Sequence, residues 1–394
     1  MKKIIRKFAE QTIYSLLWLL AKIPTKKKIV YFESFHGKQY SDNPRAIYEL
    51  MKETHFNYEL IWGVSQGYEA PFLDGKVTHV YRFSFRWLWL ISHADFWIVN
   101  TRMPEFCYKS SRTTYIQTWH GTPLKKIGLD ISNVNITGYT NTSYRNSFEK
   151  ESKRWDFLIS PNSYSTKIFK SAFSYTGDIL EIGYPRNDKL VNESLNTQLK
   201  NQLKNKLDIN ENSKVILYAP TWRDNHQHID GLYRFDTALD LNELAISLGE
   251  NVILLVRMHY LVKPEKNGNS QWLDVSDYPD MNDLLLISDI LITDYSSSFF
   301  DYYILKRPII FYLPDREQYE NVLRGTYYDI EKGLPGAMVS DNQELIKLSK
   351  EALRKPLDFF NQHTKNKKFY DRIVEKETGN ASQVIVDLIE RKDT

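Results

Sequence analysis

Several short stretches of this chain place histidine, arginine, serine or aspartate directly after a run of residues that reads as a buried strand. His120 lies in His-Gly-Thr-Pro after Thr113–Trp119; Gly121 allows a second chain or a ligand to approach closely, and Pro123 stiffens the turn. An imidazole in that place can take a proton from an attacking hydroxyl near neutral pH. His259 ends another such run beside Arg257, where a donating histidine next to a guanidinium suits charge developing on phosphate. Any one histidine can be a structural hydrogen-bonder. Two at strand ends, from different halves of the chain, favour chemistry.

Anion-binding residue types cluster in the second half. Thr293-Asp294-Tyr295-Ser296-Ser297-Ser298 closes a buried run and opens a helical one, so free backbone N–H groups and serine hydroxyls at a helix start can hold phosphate. A cap needs one such group, and three serines exceed that need. Thr221-Trp222-Arg223-Asp224 adds a hydroxyl, an aromatic face and a guanidinium able to bind phosphate bidentately; a surface Arg223–Asp224 pair is the plainer alternative. Lys125 and Lys126, just past Gly121 and Thr122, can meet an anionic acceptor or sit solvated, and Arg324 in Arg-Gly-Thr offers a further anion contact.

Metal chemistry is not expected. No Asp-x-Asp occurs, and the histidines are not at metal-ligand spacing. Asp274, Asp277, Asp280 and Asp283 recur every three residues, but Pro279 interrupts them, which favours turn and helix-cap roles. No glycine-rich dinucleotide or Walker loop is present, so no cofactor is expected.

The elements that must position these groups alternate short β-branched or aromatic runs with longer helical stretches, the pattern of α/β units with parallel sheets. Strands are expected at Lys28–Ser34, Tyr58–Val64, Val77–Arg82, Asp95–Asn100, Thr113–Trp119, Phe157–Ser160 and Ile179–Ile182. A second set is expected at Lys214–Ala219, Asn251–Arg257, Ile290–Thr293, Pro308–Tyr312 and Ala337–Val339. Residues 192–213 are rich in Asn, Lys and Gln and read as an exposed helix and linker. This gives four segments: 1–28, a first α/β domain at 29–191, the linker, and a second α/β domain at 214–394. Ligands bind outside the carboxyl ends of strands in open α/β sheets, so strand ends loaded with His, Arg, Ser and Asp describe a cleft.

At 394 residues the chain suits two such domains, and 42% hydrophobic and 14% aromatic residues are ample for burial. A net charge of only +3 excludes a globally basic nucleic-acid binder. Cys107 is the single cysteine, which rules out an intrachain disulfide and suits a reducing compartment.

The first 28 residues carry a separate signal. Lys2, Lys3, Arg6 and Lys7 precede the apolar stretch Ile13–Ala21, and Lys22, Lys26, Lys27 and Lys28 follow it. A spanning helix needs about 20 apolar residues, roughly twice what this stretch offers. A helix here would be amphipathic, with Ile4, Ile5, Phe8, Thr12, Ile13, Leu16, Leu17 and Leu20 on one face and Tyr14 and Trp18 beside it, as at a lipid headgroup boundary. A helix packed on its own domain is the alternative; a cleaved signal is disfavoured because a lysine cluster, not a small-residue site, follows Ala21. Tyr81–Leu90 is a second candidate for the membrane surface, or equally a helix packed on the sheet.

The strand-end motifs together resemble the CDP-glycerol glycerophosphotransferases of wall teichoic acid synthesis. The resemblance is carried by His120-Gly121-Thr122-Pro123-Leu124-Lys125-Lys126, Ala219-Pro220-Thr221-Trp222-Arg223-Asp224, Arg257-Met258-His259 and Ser288–Ser297. Phe300-Asp301-Tyr302, Lys306–Tyr312 and Arg324-Gly325 extend it, so that it covers roughly residues 29–330 in family order. It implies two Rossmann-like domains in a GT-B-like arrangement, attachment to the inner membrane face and transfer at phosphorus without a metal. It also implies His120 as the base, His259 as helper at the donor phosphates, and Arg223 with Ser296, Ser297 and Ser298 as holders of CDP-glycerol. The acceptor would be a polyprenyl-diphosphate-linked disaccharide or a glycerophosphate chain end. Tyr260 stands where many relatives have Pro, which puts the shape of that loop in question. Long polymerases of the family carry an extra N-terminal region, so a primase or short-extension enzyme is as fair an expectation as a polymerase. A homo-oligomer stays open. CDP-ribitol as donor, a nucleotide-sugar glycosyltransferase of the same fold, and a non-catalytic binder of anionic polymer are the rivals. An Asp or Glu base would fit the glycosyltransferase better than His.

Overall fold

The structure is a computed structural model that describes residues 2–54, 57–132, 134, 140–221, 239–258, 272–314, 325–328 and 333–393. The chain forms two compact units: Met1–Gly121 with Lys126–Asp188 and Glu375–Thr394, and Thr122–Lys125 with Lys189–Val374.

The first unit is built on seven strands: β1 (Ile29–Glu33), β2 (Glu59–Val64), β3 (His79–Tyr81), β4 (Phe96–Val99), β5 (Thr114–Gln117), β6 (Phe157–Ser160) and β7 (Asp178–Glu181). They lie in the order β3-β2-β1-β4-β5-β6-β7, all pairs parallel. β1, β4 and β5 are buried along their whole length, which is why they read as continuous apolar runs rather than alternating ones. The winding direction reverses between β1 and β4, so the carboxyl ends of those strands flank the topological switch point, where an open α/β sheet makes a crevice.

The second unit carries β8 (Lys214–Ala219), β9 (Val252–Val256), β10 (Trp272–Asp274), β11 (Ile290–Thr293), β12 (Ile309–Tyr312) and β13 (Ala337–Val339). Their order, β10-β9-β8-β11-β12-β13, is again parallel throughout and puts a switch point between β8 and β11. β10 is not among the expected strands; it is a three-residue edge strand, half-buried, and too short to show a pattern. Asp274 accepts from the Ser276 N–H and hydroxyl, and Asp280 caps the helix Met281–Ile287 through the Asn282 N–H, so both serve as turn and cap groups.

The chain division differs from the expected one. The expected linker contains the helix Thr197–Asn205, capped by Asn196 and anchored by buried Leu203, and it belongs to the second unit. The last twenty residues do not stay with the second unit either. Helix Ala381–Asp393 returns to the first sheet, where Ile385, Val386 and Ile389 join Val30, Phe32, Ile47 and Trp62 in one apolar core. Asp188 accepts from the Ala381 and Ser382 N–H groups at 2.9 and 2.7 Å, fixing where this helix starts.

Helix Lys2–Leu20 lies against helix Phe85–His93, with Leu17 buried and Tyr14 edge-on to Tyr108. The segment after it is tied down where the Arg112 guanidinium donates to the Ala21 carbonyl and His93 Nε2 to that of Ile23. Ile5, Phe8, Leu16, Trp18 and Leu19 nevertheless remain exposed, as do Phe83, Phe85 and Trp89 on and beside the neighbouring helix. Among the described residues no helix is long and apolar enough to cross a membrane.

Candidate active site

The strand β5 ends in a sharp turn that presents His120. Trp119 takes a left-handed backbone conformation, φ 52°, which an L side chain adopts only when its surroundings hold it there. The Gln117 carboxamide supplies part of that hold by accepting from the Trp119 N–H at 2.9 Å while donating to the Thr101 carbonyl at 3.1 Å. Asn43 supplies the rest, its side-chain amide donating to the carbonyls of Thr118 and Trp119 at 3.3 and 3.1 Å. The indole of Trp119 stacks on the imidazole at 4.4 Å, and Phe35 meets it edge-on at 5.7 Å.

His120 Nδ1 lies 2.8 Å from the Asn100 carbonyl oxygen. A carbonyl can only accept, so Nδ1 carries the proton and Nε2 presents its lone pair. Burial lowers the His120 pKa from its ordinary value; the Asn100 carbonyl and the Asp42 carboxylate oppose that shift, and Arg186 adds to it. A half-buried neutral imidazole whose Nε2 has no hydrogen-bond partner among the described residues is in the state a general base requires.

The crevice at the β1/β4 switch point is lined by the strand end Ser34-Phe35-His36-Gly37, whose residues carry no site role in the sequence analysis. Phe35, His36 and Gly37 form a left-handed turn at φ 47°, 58° and 75°. The His36 carbonyl accepts from Arg82 Nη1 and the Ser65 hydroxyl, both at 2.8 Å, and Arg82 is itself paired with buried Glu33 at 2.9 Å. Across the switch point the Phe35 N–H donates to the Asn100 side chain at 2.9 Å. No motif marks Asn100, because it acts through a backbone carbonyl and an amide that any polar strand end can offer.

The second unit repeats this design. Asp294, at the end of β11, accepts from the Thr221 N–H at 2.8 Å and the Thr221 hydroxyl at 3.0 Å, a bridge across the β8/β11 switch point. Both residues are expected donor contacts from the anion-binding clusters of the sequence; here Asp294 also fixes where the chain leaves β8. The Ser296 and Ser298 hydroxyls share a 2.9 Å hydrogen bond. Ser297 precedes the short helix Ser298–Tyr302 without capping it through its side chain. The Ser296 hydroxyl also accepts from the Ser298 N–H at 3.3 Å, so one serine of the three supports the helix start. Arg257 Nη1 donates to the Tyr278 carbonyl at 2.6 Å and to that of Val275 at 3.4 Å, so part of this guanidinium holds the loop after β10.

Gly121, Thr122, Lys125 and Lys126 follow His120 in the chain, but Thr122–Lys125 cluster with the second unit. The cause is local: Lys125 makes an antiparallel bridge with Thr326, and the Tyr327 N–H donates to the Leu124 carbonyl at 2.9 Å. His259, Arg223 and Arg324 lie outside the described residues.

Comparison with known proteins gives this geometry a family. A family model described as CDP-Glycerol:Poly(glycerophosphate) glycerophosphotransferase matches residues 14–391. A teichoic acid glycerol-phosphate transferase of Staphylococcus aureus is 48% identical over 98% of this chain and 99% of its own length. A teichoic acid poly(glycerol phosphate) polymerase of Bacillus subtilis is 43% identical over 98% of this chain, which spans 52% of that longer protein. Among solved structures, a variant of the wall teichoic acid polymerase TagF soaked with CDPG is 41% identical, with a TM-score of 0.88 over 99% of this chain and 95% of that one. With the match running nearly end to end in both sequence and fold, the chain belongs to the CDP-glycerol:poly(glycerophosphate) glycerophosphotransferase family and is an enzyme of that kind.

Proposed function

We propose that this enzyme transfers glycerol phosphate from CDP-glycerol to the terminal hydroxyl of a lipid-linked teichoic acid precursor, releasing CMP, with His120 as the general base. The observation that carries the base assignment is the bond from His120 Nδ1 to the Asn100 carbonyl, which leaves Nε2 as a proton acceptor. The acceptor O–H proton passes to Nε2, and the oxygen forms a new bond to the β-phosphorus. The bond from that phosphorus to the bridging oxygen breaks, and its electrons leave with CMP. Such transfer depends on positioning and charge stabilisation more than on covalent chemistry. In this reading the two parallel-sheet units make a GT-B-like pair, the first serving the acceptor and the second the donor. Thr221 and the Ser296–Ser298 cluster meet the donor phosphates, joined by His259, Arg223 and Arg324 as the family resemblance implies.

The pH profile tests the base. Because the His120 pKa is lowered, the neutral form persists below the ordinary histidine value of 6.5, and activity is lost only as pH falls through the lowered value. The acid limb of kcat/KM is therefore expected below pH 6.5. A limb above that value would contradict the assignment.

Donor anchoring makes a second expectation. Ser297→Ala should weaken CDP-glycerol affinity by ~1.5–3 kcal/mol, the contribution of a hydrogen bond to a charged group. Isothermal titration of the variant with an unchanged donor affinity would remove Ser297 from the site.

The lipid of the acceptor stays in the bilayer, so the catalytic groups must work at its surface. The exposed side chains of helix Lys2–Leu20 and of Phe83, Phe85 and Trp89 form the apolar face for that contact. The flanking lysines add attraction to anionic lipid at ~1 kcal/mol each. Phe8→Glu combined with Leu19→Glu should cut co-sedimentation with anionic vesicles about tenfold or more, since each side chain buries on the order of 1.5 kcal/mol or more of apolar surface. Both positions are exposed, so the fold should be spared. Equal sedimentation of variant and parent would make this a surface with no part in docking.

A further inference from the structure

We propose that Asp42 and Arg186 are positioning residues that hold the His120 imidazole in its proton-accepting orientation and set its proton affinity, acting through Asn100 and Asn43. The proposal rests on the reading of His120 as the base, although the arrangement itself is read from side-chain geometry.

Asp42 opens the helix Asp42–Glu53 in a left-handed conformation, φ 66°, that an aspartate rarely adopts. Helix capping alone does not account for that conformation, because only one of the carboxylate's bonds, from the Asn43 N–H, serves the helix start. Its Oδ2 accepts from the Asn100 side-chain amide at 2.8 Å, and its Oδ1 from the Asn43 N–H at 2.7 Å and Arg186 Nη1 at 2.8 Å. With the Phe35 N–H bound to the other end of its amide, Asn100 is fixed on both sides, and its carbonyl is the group His120 Nδ1 meets. Asn43 grips the carbonyls of Thr118 and Trp119, the two residues before His120, and accepts from the Arg186 N–H at 3.1 Å. Two adjacent residues thus hold both the group the imidazole bonds to and the backbone that carries it.

The charges in this network are nearly out of water. The side chains of Asp42 and Arg186 are 6% and 12% exposed, so their fields reach the imidazole with little screening. Asp42 favours the protonated imidazole and Arg186 opposes it. His36, from the turn after β1, also faces His120, and Arg82, Arg102 and Lys38 act on His36 in turn. Trp119, Phe35, Asn43 and Asn100 are neutral. The ion pair therefore balances the base. Removing one member takes away its field and keeps that of the other, which moves His120 in a direction set by the sign that remains.

The test measures His120 directly, by mass-spectrometric hydrogen–deuterium exchange of its imidazole C2–H against pH, in the full chain and in two variants. Asp42→Asn should shift the His120 titration to lower pH and Arg186→Gln to higher pH, each by on the order of one unit. Arg186→Lys should restore much of the parental value, and the acid limb of kcat/KM should move in the same order. Opposite shifts cannot arise from general loosening of the fold, which would move both variants alike. Shifts in the same direction, or none, overturn the proposal. Opposite shifts with an unmoved acid limb support the electrostatic role and overturn instead the reading of His120 as the base. If Asp42→Asn does not fold, Arg186→Gln decides alone: an upward shift supports the proposal and an unmoved titration overturns it.

Discussion

Replacing His120 by Asn should lower turnover by ~10²–10⁴-fold, the usual contribution of a general base, while leaving CDP-glycerol affinity close to the parental value. Asparagine can still donate to the Asn100 carbonyl and fill the space between Trp119 and Phe35. What it cannot do is accept a proton at the Nε2 position. The loss should therefore appear in kcat rather than in donor binding, because the expected donor contacts lie on the second unit. Steady-state kinetics combined with donor titration separates the two. Near-parental turnover in a folded variant would take the base role away from His120.

The second large effect concerns stability and falls on the far end of the sequence. Ile389→Ala should destabilise the first unit by about 2–5 kcal/mol, the range for emptying a buried aliphatic site. Ile389 is fully buried within the core that contains Val30, Phe32 and Trp62, although about 350 residues of chain separate them. Hydrogen exchange should accordingly speed up in β1, β2 and β4 before it does in β8 or β11. Faster exchange confined to the second sheet would mean that the C-terminal helix belongs there after all.

That helix illustrates what a sequence does and does not convey. Its apolar stripe at Ile385, Val386 and Ile389 announces a buried face, but such a stripe says nothing about which sheet will cover it. Proximity along the chain assigns it to the second domain; packing assigns it to the first. The strands were easier. Ile290–Thr293, Phe157–Ser160 and Lys214–Ala219 are buried β-branched or aromatic runs between polar turns, and they form as expected with those bounds. β10 escaped because three half-buried residues at a sheet edge carry no periodicity.

The site divides in the same way. His120 is legible because a strand end, a glycine and a proline frame it. Asn100, Asp42 and Arg186 are not, since Asn100 contributes a main-chain carbonyl, Asp42 in Ser-Asp-Asn-Pro resembles a helix start, and Arg186 lies 144 positions from its partner. Asp294 was legible as a polar strand end, yet its bonds to Thr221 are a tertiary fact about which strands are neighbours. A helix near the N-terminus was legible from its lysines and apolar spacing, and helix Lys2–Leu20 forms. Which of its residues face the neighbouring helix and which face outward required the fold.

The most direct measurement of the central claim is the product of a single assay. The protein is incubated with a synthetic polyprenyl-diphosphate-linked disaccharide, both bare and already carrying one glycerol phosphate, once with CDP-glycerol and once with CDP-ribitol, and the lipid products are analysed by mass. The account predicts that the acceptor gains whole glycerol-phosphate units from CDP-glycerol, with one CMP released for each. Growth of the acceptor with CDP-ribitol alone, or no growth with either donor while the protein is folded, would contradict it.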